Sequence, residues 1–212
     1  MKLEDYPKFT IIMRGYTTDQ AMAIMEAMDG FEKDFGIEVT MNTDHCIDII
    51  KNGYKRFGDK YLIGAGTVMN IEAEKEAIDA GAKFLLGPQE FTKEMIDYAH
   101  DKGVITVPAA MTPTEVTRLF NNGADIVKVF PASTVRPDYF KAIQAPLGKL
   151  PLMAVGGVSV QNAGEFLDNG CDYLGMGSKL FKKEDIQNKN IEGLSESLAT
   201  FVKDFKERGA LV

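Results

Sequence analysis

The chain has 212 residues, 45% hydrophobic and 26% charged, which fits one α/β barrel or a compact doubly wound domain with a sizeable core. A net charge of -7 without any basic tract excludes bulk binding to nucleic acid, while leaving room for a local basic pocket for a small anion. The two cysteines, Cys46 and Cys171, form no CxxC pair and read as reduced thiols of a cytoplasmic protein; no apolar stretch approaches membrane-span length, and Met1-Lys2-Leu3-Glu4-Asp5-Tyr6-Pro7 lacks a signal-peptide core.

Short apolar runs alternate with amphipathic ones along the whole chain. A strand at Phe9–Arg14 precedes a helix over Thr18–Phe35, and a strand at Ile37–Met41 precedes one over Thr43–Phe57. The strands at Tyr61–Ala65, Lys83–Gly87 and Val104–Val107 lead into helices over Ile71–Ala80, Thr92–Lys102 and Thr112–Asn121. The last three strands, Ile126–Phe130, Leu152–Val155 and Tyr173–Gly175, are followed by Pro137–Ala145, Val160–Asn169 and Ile191–Glu207. Strand then helix, repeated with short connections, predicts a parallel sheet, and eight repeats predict a single (β/α)8 barrel domain over residues 1–212. Gly81, Gly103, Gly123 and Gly170 each fall where a helix ends and a strand opens, as the left-handed residue that closes a helix.

A lysine stands inside one apolar run, Ala124-Asp125-Ile126-Val127-Lys128-Val129-Phe130-Pro131. Burial there disfavours the ammonium and lowers its pKa, and a neutral amine is a nucleophile toward carbonyl carbon. Lys128 is therefore a candidate Schiff-base residue; the alternative is a strand-end lysine reaching solvent. In a barrel, alternate residues point inward. Ile37, Val39 and Met41 take the helix-facing side, which turns Glu38 inward. Val127 and Val129 do the same for Lys128, and Ile11 and Met13 leave Arg14 inward at the end of the first strand. Glu38 with Lys128 reads either as a catalytic pair or as a structural ion pair that keeps the lysine charged. Ala154-Val155-Gly156-Gly157-Val158-Ser159 and Gly175-Met176-Gly177-Ser178 follow the seventh and eighth strands. Loops there often cradle phosphate in this fold; the alternative is tight turns only.

Taken in order, these residues resemble the class I aldolases of 2-keto-3-deoxy-6-phosphogluconate and related 2-keto acids. The likeness runs through Met13-Arg14-Gly15, Ile37-Glu38-Val39-Thr40, Gly64-Ala65-Gly66-Thr67-Val68 and Val107-Pro108-Ala109. It continues through Thr112-Pro113-Thr114-Glu115, Val127-Lys128-Val129-Phe130-Pro131-Ala132, Gly156-Gly157-Val158 and Gly177-Ser178. The resemblance implies a (β/α)8 TIM barrel, a homotrimer, a phosphorylated keto acid substrate, and no metal or other cofactor. It implies Lys128 as the imine-forming lysine and Glu38 as general acid/base. It places Arg14 and Thr67 near the pyruvate carboxylate, Gly157 and Ser178 at the phosphate with Gly156 and Val158 beside them, and Pro88 and Phe130 in the pocket wall. Many gluconate-type relatives carry Arg where this chain has Asn42; the phosphogalactonate-cleaving branch resembles Glu38-Val39-Thr40-Met41-Asn42 better. Asn lacks the bidentate fork of Arg, so Arg14 is expected to hold the carboxylate.

Two rival readings accompany this one. In the first, a phosphosugar isomerase or decarboxylase uses Glu38 with a charged Lys128. In the second, the barrel binds a phosphosugar without turnover. His45, between Asp44 and Cys46, and His100 give no metal-ligand spacing.

Overall fold

The computed structural model describes residues 2–207 and 209. Its strands are β1 (Phe9–Met13), β2 (Phe35–Thr40), β3 (Ile63–Gly66), β4 (Phe84–Leu86), β5 (Ile105–Val107), β6 (Ala109–Ala110), β7 (Val127–Val129), β8 (Leu152–Val155) and β9 (Tyr173–Met176). The intervening helices are α1 (Thr18–Ala27), α2 (Cys46–Phe57), α3 (Ile71–Asp79), α4 (Lys93–Asp101), α5 (Pro113–Asn121), α6 (Asp138–Leu147) and α7 (Ala163–Asp168). Two more, α8 (Lys183–Asn188) and α9 (Ile191–Glu207), follow β9. All paired strands are parallel, in the order β5-β4-β3-β2-β1-β9-β8-β7-β6.

The two edges of that order are halves of one strand. Pro108 separates β5 from β6 because it has no N–H to give the ladder. β5 pairs with β4, while β6 pairs with β7. The ring closes through Ile126 N–H to the Thr106 carbonyl (3.2 Å) and Lys128 N–H to the Pro108 carbonyl (3.0 Å). The nine strands are thus the eight of the expected (β/α)8 barrel with the fifth interrupted.

Alternation sorts the side chains as expected. Phe84, Leu86, Ile105, Val107, Ile126, Met153 and Val155 fill the barrel interior, and Tyr6 plugs its lower end against Phe84 and Tyr173. Ile11, Ile37, Val39, Val127 and Val129 face the helices in the larger outer core. There Phe201 of α9 meets Phe9 edge-on at 4.8 Å and Phe205 at 4.6 Å. Each such buried ring contributes about 2 kcal/mol or more.

Three local expectations differ. The helix expected over Thr18–Phe35 stops at Ala27, because Gly30 turns left-handed (φ +90°) and Phe35 is buried in β2 against Phe9 instead. The fifth strand resumes beyond Pro108. The helix α8 was not expected, since its six residues bury only Ile186 and Asp185 and so carry no apolar period. The expected helix-closing glycines at 81, 103, 123 and 170 all take positive φ.

The loops at the mouth are fixed by caps. Thr17 accepts from Gln20 N–H, Asn70 from Ala73 N–H, Thr92 from Met95 N–H and Thr112 from Glu115 N–H. The Glu115 carboxylate returns to the backbone N–H groups of Met111 and Thr112, which hold its pKa below the ordinary carboxyl range.

Candidate active site

Glu38 lies in β2 opposite Gly64 of β3 and Ile12 of β1. It is 2% exposed, and its Oε2 has no hydrogen-bond partner. The side chain occupies the space a larger residue would need at Gly66: a methyl group there would coincide with the carboxyl oxygen. Burial pushes the Glu38 carboxyl up, while Lys128 and then Arg14 pull it partly back.

Lys128 lies in β7, opposite Ala109 and Met153, and is 4% exposed. Its Nζ is 5.1 Å from the Phe130 ring centroid. Burial pushes the amine down to about 8, with Arg14 adding to the shift and Glu38 opposing it. No ion pair within 4.0 Å joins Glu38 to Lys128, both of them among the described residues. A clamped structural pair would raise the amine, so the geometry favours a lysine that can be neutral near working pH.

Arg14 is exposed, one residue past β1, yet close enough to act on both buried groups. The loop behind it is pinned by a chain that sequence reading missed. Gly15 N–H donates to Thr43 Oγ1 (2.9 Å), which shares a hydrogen bond with buried Thr40 Oγ1 (2.8 Å). Thr40 could be read as inward by alternation; Thr43 lies outside any strand and gave no such signal.

Thr67 follows β3 with φ +57°, a left-handed conformation that is an outlier for a β-branched residue. Such strain concentrates at functional sites. Pro88 is half-buried just past β4, and half-buried Phe130 precedes Pro131 across a cis peptide bond.

The loops after β7 and β8 are tied together: Ser133 N–H donates to the Gly156 carbonyl at 2.9 Å. Gly156 and Gly157 take φ +94° and +78°, and a side chain on Gly157 would approach Ser133 Cβ at 2.6 Å. Asn162, also unrecognised from sequence, clamps this turn by donating to the Gly157 carbonyl (3.0 Å) and accepting from Ser159 N–H (2.8 Å). Val158 is buried beneath it, and exposed Ser178 opens a single 3-10 turn after β9. Among the described residues, no cluster of three or more His, Cys, Asp or Glu is placed to hold a metal ion. The described residues also include no helix long and apolar enough to cross a membrane.

The family model described as "KDPG and KHG aldolase" matches residues 10–196. The chain belongs to this family. It is 33% identical over 199 residues to 2-dehydro-3-deoxy-6-phosphogalactonate aldolase of Escherichia coli (strain K12), covering 92% of this chain and 93% of that protein. It is 34% identical over 173 residues to the probable 2-dehydro-3-deoxy-6-phosphogalactonate aldolase of Rhizobium meliloti (strain 1021), covering 81% and 80%. The solved structure called "Native KDPGal structure" superposes with a TM-score of 0.84 at 31% identity, covering 96% of both chains. As a KDPG/KHG aldolase the protein is an aldehyde-lyase of the Schiff-base, class I type, which releases pyruvate and an aldehyde.

Proposed function

We propose that the substrate is a 2-keto-3-deoxy sugar acid 6-phosphate of the galactonate type, cleaved by Lys128 and Glu38 to pyruvate and glyceraldehyde 3-phosphate. The observation that carries the residue assignment is the buried Lys128 amine, pushed down to about 8, within the field of buried Glu38. The galactonate preference is supported by the relatives of that name, which align over most of this chain. The 2-dehydro-3-deoxy-phosphogluconate aldolase of Pseudoalteromonas atlantica (strain T6c / ATCC BAA-1087) aligns over 62% of it.

Neutral Lys128 adds to the C2 ketone to give a carbinolamine, and its hydroxyl takes up a proton from solvent and leaves as water, giving a protonated imine. Glu38 takes the C4 hydroxyl proton through a bridging water. The C3–C4 bond breaks, its electron pair passes into the imine as an enamine, and the aldehyde departs. Glu38 returns the proton to C3, and hydrolysis frees pyruvate and Lys128. One carboxyl serves as base and then acid, which suits a pKa raised toward the operating pH. Arg14 and Thr67 hold the carboxylate; Gly156, Gly157, Val158 and Ser178 receive the phosphate; Pro88 and Phe130 wall the pocket. The single domain works as a cytoplasmic homotrimer without metal or cofactor.

Borohydride trapping with pyruvate, followed by peptide mapping, tests the chemistry. An adduct on Lys128 is expected, and none on Lys128→Ala; a wild-type adduct elsewhere, or undiminished turnover by the variant, refutes the assignment. Comparing kcat/KM for the two C4 epimers tests the sugar.

A further inference from the structure

We infer that Lys183, at the start of α8, is a specificity residue that binds the phosphate end of the substrate. The inference rests on the phosphorylated substrate proposed above. The four residues assigned there to the phosphate, Gly156, Gly157, Val158 and Ser178, include no charged side chain. A phosphate monoester is close to a dianion at neutral pH, and this protein carries a net charge of -7. Hydroxyl and backbone donors orient such a group, and a cation adds the charge neutralisation that they do not supply.

A cavity of about 480 Å³ opens between the loop after β1 and α8, lined by Gly15, Tyr16, Gln20, Ser178, Lys183 and Gln187, with Ile186. It therefore joins the neighbour of Arg14 to the phosphate serine. No carboxylate lines it. The cavity on the other side of Gly15, about 390 Å³, is lined by Asp19, Asp44 and His45 among others. Of the two spaces flanking Gly15, only the first suits an anion.

Lys183 is also uncommitted. Its neighbours are engaged elsewhere: Lys182 with Glu196 (3.8 Å) and Lys189 with Asp19 (3.3 Å). Among the described residues Lys183 forms no ion pair and is exposed. Its ammonium is free to meet a ligand in the cavity at little cost to the fold.

The test is steady-state kinetics of the full-length wild type, Lys183→Ala, Lys183→Glu and Lys183→Arg. Each is assayed with 2-keto-3-deoxy-6-phosphogalactonate and with the same sugar acid lacking phosphate. Loss of one charge-assisted contact predicts a KM about tenfold higher for the phosphorylated substrate in Lys183→Ala. Lys183→Glu should lose more, Lys183→Arg should recover most of the loss, and kcat should hold. Inhibition by inorganic phosphate should weaken in parallel. An unchanged KM, or an equal rise with both substrates, overturns the role of Lys183 and leaves the substrate proposal standing. A wild type indifferent to the phosphate removes the substrate proposal, and the role of Lys183 with it.

Discussion

Glu74 of α3 is a buried carboxyl with no part in the proposed chemistry. It is 0% exposed, and neither carboxyl oxygen has a hydrogen-bond partner. Burial pushes it from 4.5 up to about 7; Lys75 on its own helix opposes the shift and Glu94 of α4 adds to it. The folded pKa is raised, so the stability associated with this group is fully present below the unfolded value and is lost as pH rises through the folded one. The shift amounts to about 3 kcal/mol at about 1.4 kcal/mol per tenfold change. Allowing for solvent screening, about 2 kcal/mol should disappear between about pH 5 and about pH 8. Glu74→Met keeps the length and the helix propensity while removing the charge. Denaturant unfolding of both proteins at those two pH values, at one protein concentration, isolates the effect as a difference of differences. The variant should be the more stable by about 2 kcal/mol at the higher pH, with much of the gain gone at the lower. Parallel pH dependences in the two proteins would refute the reasoning, because the Glu74 carboxyl would then be solvated or partnered.

Glu38→Gln should still trap pyruvate on Lys128 but exchange deuterium into the pyruvate methyl group about a hundredfold more slowly; unchanged exchange would exclude Glu38 as the base. In the wild type the trapping rate should climb as the amine loses its proton near pH 8 and then level off. Glu38 raises that pKa, so the inflection should move lower in the variant. Gly66→Ala should drive the Glu38 carboxyl from its place, slowing the same exchange and costing about 1–3 kcal/mol in unfolding; normal exchange would show that Glu38 works from another position.

Alternation along short strands carried the barrel, and with it the inward direction of Glu38 and Lys128, because a covered parallel sheet leaves few places for a charge. The Gly156-Gly157 turn after β8 was legible because its residue type is a backbone requirement, both residues taking positive φ. What stayed hidden depends on neighbours distant in sequence. Gly66 is needed by Glu38, 28 positions earlier in the sequence, for space rather than conformation. Thr43 and Asn162 hold backbone groups of other loop residues, which side-chain periodicity does not encode. The early end of α1 was missed because Thr18–Phe35 stays amphipathic in composition; the left-handed turn at Gly30 and the packing of Phe35 on Phe9 together end the helix.

The interruption at Pro108 has a bearing on how the lysine becomes reactive. Lys128 hangs by its own amide from the Pro108 carbonyl, on the seam where the two edges of the sheet meet. The backbone bond that bridges the interruption thus also seats the amine in its dry setting. A change that loosens the fifth strand at Pro108 should let water back to Lys128 and return its pKa toward the ordinary lysine value.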